Sequence, residues 1–312
     1  MFLDKKYGQW LTLFLMSFIW GTSFILMKKG LLALPPDVMA MLRITFAFLF
    51  FLPLALKNIK KINRQNIVPL LIVGFIGNFF PAILFATAET QISSALAGML
   101  NATTPIFVWL TGILFYKAKT SKIAIAGIII GFIGTLGLLT DDPRNFFDSW
   151  NFYALLILLA TLMYGFNTNN VKYKLHDLDA ISISSLGFFL VGPFAIIYLA
   201  IKGYPQNFVS HPDFWLSTGS VAALAFFSSF LAIMLFNLFI KHTTAVMAAS
   251  VTYIIPIFAI FWGVLDGETI PVHQYIFMAI TIIGVYLVNK EKYKDEPAEE
   301  HAAEEAMEFK TS

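Results

Sequence analysis

The chain has 312 residues, of which 58% are hydrophobic and 13% are charged; its mean hydropathy is +0.75 and its net charge is +2. Soluble proteins are about one quarter charged, so this composition excludes a soluble globular protein and predicts one that crosses a membrane several times. The absence of cysteine from the sequence excludes disulfides and thiolate metal sites.

Ten apolar segments have the length of a membrane helix, at about 20 residues per crossing. They cover residues 10–28, 36–56, 67–88, 92–115, 121–139, 151–171, 180–201, 215–240, 244–265 and 272–289. The first segment follows Lys5 and Lys6 and has no small-residue cleavage site, so we interpret it as a span and not as a signal peptide. Residues 291–312 are charged and rich in Glu and Ala, which predicts a disordered cytoplasmic tail.

The fourth segment and the residues before it recur in the second half of the chain, 151 residues later and without a gap. Leu84-Phe85, Ala97, Pro105-Ile106-Phe107 and Gly112 recur as Leu235-Phe236, Ala248, Pro256-Ile257-Phe258 and Gly263. The repeat predicts two five-helix units, residues 1–141 and 150–290. Because five is an odd number, the second unit is expected to enter the membrane in the opposite sense, which makes an all-α membrane protein of ten transmembrane helices in two inverted five-helix repeats.

Each unit carries a proline in the middle of an apolar segment, Pro105 in the first and Pro256 in the second. A proline removes one backbone hydrogen bond and kinks a helix, which a membrane tolerates where neighbouring helices or a cavity absorb the free carbonyl group. Interrupted helices at matching places in two halves are typical of a transporter's binding site.

Lys and Arg are distributed unequally between the two sides of the predicted bundle. With the N-terminus in the cytoplasm, the outer loops would hold only Lys28, Lys29, Arg144 and Lys202, while most other basic residues would be cytoplasmic. The positive-inside rule therefore predicts a multi-pass protein of the plasma (inner) membrane with both termini in the cytoplasm.

Arg43, inside the second segment, is the most informative charge because ionisable groups are costly in a bilayer. It could bind a substrate carboxylate, or pair with Glu89 in an outer gate. It could equally be a structural anchor that extends to the interface or caps carbonyl groups. No acidic residue lies deep in a segment, so uniport, exchange and coupling through Glu89 all stay open.

Neutral polar residues inside the segments are candidates for the wall of a substrate cavity. The candidates are Trp20, Asn78, Asn101, Tyr164, Asn237 and Tyr253. Asn101 shares a helical stripe with Ser94, Gly98 and Pro105. Such a stripe can line a cavity or mediate helix packing, and both interpretations stay open. The glycines of the fifth segment predict tight packing, within the unit or in a homodimer.

The sequence has no motif of a hydrolase, a zinc protease or a nucleotide-binding loop, and its five histidines lie in loops, at segment ends or in the tail. We therefore predict no enzymatic activity, no metal, no cofactor and no nucleic-acid partner. The expected partners are a small-molecule substrate and the lipid bilayer.

Several motifs resemble the EamA type of the drug/metabolite transporter superfamily. They are Ile19-Trp20-Gly21-Thr22-Ser23-Phe24, Leu42-Arg43, the run from Ser94-Ala95 to Thr104-Pro105, and the run from Ala245 to Pro256 followed by Gly267-Glu268. The resemblance covers about residues 8–290. One departure is Tyr116-Lys117, which stands where the family has glycine-glutamate after the fourth span.

The resemblance implies ten helices in two inverted repeats, a central cavity, alternating access and, commonly, export of amino acids or other metabolites. The predicted function is therefore a secondary transporter, an exporter of amino acids or related metabolites. The alternatives are a multidrug or nucleotide-type exporter, and a membrane scaffold without transport activity.

Overall fold

The computed structural model describes residues 6–116, 122–140, 150–242 and 251–295. Thirteen α-helices lie within these ranges, and no β-strand does. They are α1 (Lys6–Gly30), α2 (Pro36–Asn58), α3 (Ile67–Gly74), α4 (Phe80–Ala88), α5 (Ser94–Asn101), α6 (Thr104–Tyr116), α7 (Lys122–Leu138), α8 (Phe152–Lys174), α9 (Ala180–Ile201), α10 (Phe214–Ala223), α11 (Ala232–His242), α12 (Val251–Leu265) and α13 (Val272–Asp295).

Seven helical stretches in the described ranges are long and apolar enough to cross a membrane. They are Tyr7–Gly30, Pro36–Lys61, Ile67–Ala88, Ser94–Tyr116, Phe152–Lys174, Ala180–Ile201 and Phe214–Phe236. The other three predicted segments contain shorter apolar helices, Lys122–Leu138, Ile254–Leu265 and Val272–Leu287. The protein is thus all-helical and has several candidate spans, whereas a count of ten spanning helices stays a prediction.

The third and eighth predicted segments each contain a π-helical stretch, which the sequence analysis did not foresee. Residues Phe75–Phe79 join α3 to α4, and residues Leu224–Leu231 join α10 to α11. Adding 151 to the first range gives 226–230, which lies inside the second, so the two irregularities occupy equivalent places in the repeat. A π-helical turn widens the helix locally and is frequent at functional sites.

The fourth predicted segment is interrupted just before Pro105. Helix α5 ends at Asn101, and α6 begins at Thr104 after a turn in which the N–H groups of Ala102 and Thr103 bond to carbonyl oxygens three residues earlier. Pro256, by contrast, lies inside α12, which continues through it.

Four helix pairs make the main interfaces: α2 with α9, α6 with α8, α1 with α12, and α7 with α13. The last pair uses the glycines of the fifth segment, because a Cβ atom at Gly284 would lie 2.3 Å from the backbone nitrogen of Gly131. These glycines permit a close backbone contact within one chain.

Candidate functional site

A cavity of about 670 Å³ lies between helices of both units. Its wall includes residues of α1, α2, α4, α5, α6, α8, α11 and α12 and of both π-helical stretches. Its side chains are mainly apolar and aromatic, with neutral polar groups between them and Arg43 as a cationic group. A concave, largely apolar space with a few polar groups is the usual form of a small-molecule site.

Residues at equivalent positions of the repeat meet on this wall. At an offset of 151, Gly77, Asn78, Phe85 and Asn101 correspond to Ser228, Ser229, Phe236 and Thr252, and all eight line the cavity. At an offset of 144, Trp20 and Ser23 of α1 correspond to Tyr164 and Asn167 of α8, and these four also line it. The two units thus contribute matching surfaces to one site.

The π-helical stretches turn polar groups toward the cavity. The Asn78 side chain donates through Nδ2 to the carbonyl oxygen of Val73, in the turn before the first stretch, at 2.9 Å. The Trp20 indole donates to the carbonyl oxygen of Ser228 at 3.3 Å, in the second stretch. A side chain of the cavity wall therefore makes a hydrogen bond at each π-helical stretch.

Arg43 breaks the symmetry of the cavity, because α9 has no arginine or lysine. Its Nε donates to Ser229 Oγ at 3.3 Å, and its Nη1 lies 3.9 Å from the sulfur of Met27. Both partners also line the cavity. Arg43 thus gives one end of an otherwise neutral cavity a positive charge.

The ion pair between Arg43 and Glu89 that the sequence allows is absent from the described part of the structure. Glu89 is 7% exposed, and both of its carboxyl oxygens are buried without a hydrogen-bond partner there. The direct pair is absent because Arg43 donates across the cavity to Ser229 instead. Arg43 still lies within electrostatic range of the Glu89 carboxyl group.

At the end of α1, next to Met27 of the cavity wall, four side chains form a group that we call the charged cluster: Lys28, Lys29, Asp266 and Glu268. Lys28 Nζ lies 2.8 Å from both Asp266 Oδ2 and Glu268 Oε1, and Lys29 pairs with Asp266. The cluster ties the end of α1 to the loop after α12. Gly267 makes this loop possible, because its φ of +83° is strained for any residue with a side chain.

Glu268 also caps the start of α5. Its Oε1 accepts from the backbone N–H and the hydroxyl of Ser94, at 3.0 and 2.9 Å, and its Oε2 accepts from the N–H of Ala95 at 3.1 Å. A carboxylate at a helix N-terminus is stabilised by the free N–H groups and by the helix dipole. Burial opposes ionisation of Glu268, but the bonds from Lys28, Ala95 and Ser94 outweigh it and lower the pKa of this carboxyl.

A second, smaller space of about 210 Å³ adjoins the cavity and shares four of its wall residues. The shared residues are Gly77, Asn78, Asn167 and Ile233. The space extends past Val171 to Ala180 at the start of α9, which lies at the far end of the bundle from the charged cluster. Asn167 Oδ1 is buried without a partner among the described residues and lies at this junction.

Four of the six predicted cavity residues line the observed cavity: Trp20, Asn78, Asn101 and Tyr164. Asn237 and Tyr253 belong to α11 and α12, but their side chains lie outside the described part of the structure. The polar stripe of the fourth segment divides into two parts. Ser94 and Gly98 pack against Glu268 and Ala259, whereas Asn101 and Pro105 line the cavity.

Sequence reasoning missed Ser228, Ser229 and Trp109 on the cavity wall. The two serines carry a signal, since the offset of 151 projects Gly77 and Asn78 onto them. Trp109 has no such sequence signal, because one more aromatic residue in an apolar segment is not distinctive. Its indole nitrogen is buried without a partner among the described residues.

Comparison with known proteins identifies the family of this chain. The sequence model of the EamA-like transporter family matches residues 9–140 and 151–290, so the chain belongs to that family. An uncharacterized transporter of Archaeoglobus fulgidus is 22% identical over 91% of this chain and 99% of its own length. The uncharacterized inner membrane transporter YedA of Escherichia coli is 26% identical over 90% of each chain.

Two further similarities extend this comparison. The S-adenosylmethionine/S-adenosylhomocysteine transporter of Chlamydia muridarum is 22% identical over 90% of this chain and 92% of its own length. A solved crystal structure superposes with a TM-score of 0.61 at 14% identity, covering 94% of this chain and all of that one. That structural likeness shows a shared fold.

Proposed function

We propose that the protein is a secondary transporter that works by alternating access and exports amino acids or related metabolites across the plasma membrane. The observation that supports this proposal most directly is the cavity, to which both units contribute equivalent residues. In alternating access, two similar units rock about a site that they share. A static scaffold would have no need of such a site between its halves.

The inverted arrangement of the two units is part of this proposal. Ser94 begins the fourth segment, and it bonds to Glu268, which follows the end of the ninth. Equivalent segments whose opposite ends meet run in opposite directions. With both termini in the cytoplasm, the charged cluster would lie on the outer side, and the protein would be closed to that side.

An amino acid fits the chemistry of the cavity. Arg43 can bind a carboxylate, because a guanidinium group presents two parallel N–H donors. Neutral acceptors such as the Asn167 Oδ1 atom are available for an ammonium group. The aromatic wall, with Trp20, Trp109 and Tyr164, offers apolar surface to a side chain.

A nucleoside-bearing amino acid is the second candidate. The relative from Chlamydia muridarum is named for S-adenosylmethionine, an amino acid that also bears a sulfonium charge and a purine ring. The same aromatic wall is suited to stacking a base, and a volume of about 670 Å³ is in the usual range for metabolites of that size.

Reconstitution in liposomes tests the proposal. Labelled amino acids, S-adenosylmethionine, uridine and a cationic dye would be supplied separately, with empty liposomes as the reference. We expect uptake of at least one zwitterion, with loss in the Arg43→Gln variant. Transport of the dye or uridine alone would favour the multidrug or nucleotide-type alternative, and no transport of any probe would favour the scaffold.

Tags test the orientation. Tags at residues 5 and 300 should be accessible from the cytoplasm, and a tag between Asp142 and Asn145 from outside. A cytoplasmic signal from the inserted tag would contradict the inverted repeat.

A further inference from the structure

Glu89 has a position that no role described above explains. It is the residue that follows α4, its side chain is 7% exposed, and neither carboxyl oxygen has a hydrogen-bond partner in the described ranges. Other carboxylates of this end of the bundle are paired: Asp266 and Glu268 with lysines, and Asp37 with Lys202. A buried carboxyl group without a partner is uncommon and indicates a role other than structure.

The surroundings of Glu89 favour its neutral form. An ionised carboxylate without hydrogen-bond donors loses its hydration and gains no hydrogen bond in return. The C-terminal end of α4 is the negative end of the helix dipole, which also disfavours a negative charge there. Glu268, which is ionised within the charged cluster, adds like-charge repulsion.

Three charged groups on three different elements interact with Glu89. Arg43 of α2 and Lys28 of α1 attract a negative charge, and Glu268 in the loop after α12 repels one. On α8, the titratable group that faces this region is Tyr164, whose ring stacks on Phe85, one turn before Glu89. Arg43 and Phe85 line the cavity, and Lys28 belongs to the charged cluster. Glu89 therefore lies between the cavity and the cluster.

We propose that Glu89 is a proton-binding site that couples protonation to the opening of the charged-cluster end of the cavity. This inference rests on the proposed transport function, for which it names the coupling ion. In the closed state the carboxyl group holds a proton. When this end opens and water enters, the proton passes to water, and the carboxylate takes Lys28 or Arg43 as its counter-ion. Lys28 is then shared with Glu268, which weakens the pair that closes this end.

Infrared spectroscopy of the purified full-length protein tests the proton directly. We expect a protonated-carboxyl band near neutral pH in the unaltered chain, its loss in Glu89→Gln, and its retention in Asp177→Asn, whose side chain is exposed. Absence of the band from the unaltered chain would overturn the proposal. This outcome does not depend on whether the Glu89→Gln variant folds. Retention of the band in Glu89→Gln would overturn it too.

Thiol labelling tests the coupling. Ser23→Cys places one near-isosteric thiol on the cavity wall of a chain without cysteine, and a membrane-impermeant maleimide reports access in right-side-out and in inverted vesicles. From the charged-cluster side, we expect the labelling rate to rise with pH more steeply than the labelling rate of a free thiol does. This extra rise should be lost in Glu89→Gln and kept in Asp177→Asn. An unchanged extra rise in Glu89→Gln would refute the coupling.

Both readouts work without a substrate. A positive result in both, together with liposomes that carry none of the probes, would preserve the proton site and reject the transport function. Transport of a probe by a protein without the infrared band would support the transport function and reject the proton site.

Discussion

Lys28 and Glu268 are 240 residues apart in the sequence, and the Nζ atom of one lies 2.8 Å from Oε1 of the other. The contact joins the end of the first predicted span to the loop after the ninth. Because Glu268 also caps α5, one carboxylate holds three parts of the chain together.

Replacing Glu268 with Gln should therefore loosen this end. The side chain of Glu268 is 6% exposed, so its loss of charge leaves Lys28 short of a partner and weakens the cap. We expect the free energy of unfolding to fall by about 2 kcal/mol, the usual value of a charge-assisted hydrogen bond in a protected site. Thermal denaturation in detergent measures it. The matched control is Asp177→Asn, which removes an exposed carboxylate and should change little.

The charged cluster should also depend on pH. The folded pKa of Glu268 is below its ordinary value of 4.5, so its contribution is complete above that value and is lost as pH falls through the folded pKa. Asp266 acts in the same sense, because hydrogen bonds from Lys28 and Lys29 lower its pKa. Thermal melts should therefore show no cluster-dependent change near neutral pH and a loss below about pH 4. The loss should be smaller in Glu268→Gln, in which only the part that belongs to Asp266 remains; a loss of unchanged size would mean that Glu268 does not contribute to it.

In the sequence of the first unit, the position equivalent to Glu268 is a lysine, at the predicted cytoplasmic end of the bundle. At an offset of 151, Glu268 of the second unit corresponds to Lys117 of the first. At an offset of 144, Lys28 of the first unit corresponds to Lys172 of the second. The ion pair between Lys28 and Glu268 is therefore represented there by two lysines, which cannot pair with each other. In Lys117→Glu we expect a second pair, with Lys172, that closes that end. A pair worth about 1 kcal/mol shifts a two-state equilibrium about fivefold, so labelling of Ser23→Cys from that side should fall by about this factor. Lys119→Glu makes the same charge change and should not reduce it.

Pro105 is expected to keep the fourth segment interrupted. The carbonyl oxygen of Asn101 accepts from the Thr104 hydroxyl at 2.8 Å, since residue 105 has no N–H to offer. In Pro105→Ala that N–H returns, so α5 and α6 should join while thermal stability holds or rises. Transport in liposomes should fall, because the cavity wall at this point is straightened. Full activity would mean that the proline serves packing alone. Pro256→Ala is the matched variant of the other unit, and we expect it to lower transport as well.

Arg43 tests whether charge or shape matters at the cavity end. Arg43→Lys keeps the charge but loses the planar pair of donors, whereas Arg43→Gln loses both. If the group binds a carboxylate, zwitterion uptake should fall by about tenfold or more in Arg43→Gln and by less in Arg43→Lys, in line with the roughly 1.5–3 kcal/mol of a charged hydrogen bond. Equal loss in both variants, with a lower denaturation temperature, would favour the structural anchor.

The sequence could predict the helical class, the repeat and several residues of the cavity, because apolar length and recurring motifs depend on local sequence. The offset of 151 also connects Asn78 to Ser229, which was not among the predicted residues. Other features were out of reach. A π-helical turn leaves no mark in hydrophobic periodicity, and the partner of Lys28 lies 240 residues away. The lack of a partner at Glu89 is a property of its surroundings and not of its position in the sequence.

Helices α2 and α9 are joined at both of their ends. At one end Asp37 accepts from Lys202 and Tyr198, at 2.8 and 2.5 Å, and at the other Lys61 lies 2.7 Å from Asp179. Between these contacts the rings of Phe51 and Phe188 stack at 5.3 Å.

A helix pair with ion pairs at both ends resists tilting, whereas the ion pairs on the α1–α12 side lie at one end only, among the described residues. We therefore expect the α2–α9 pair to stay fixed during transport and the α1–α12 side to move. Distance measurements between spin labels on α2 and α9 should give one narrow distribution, while labels on α1 and α9 should give two.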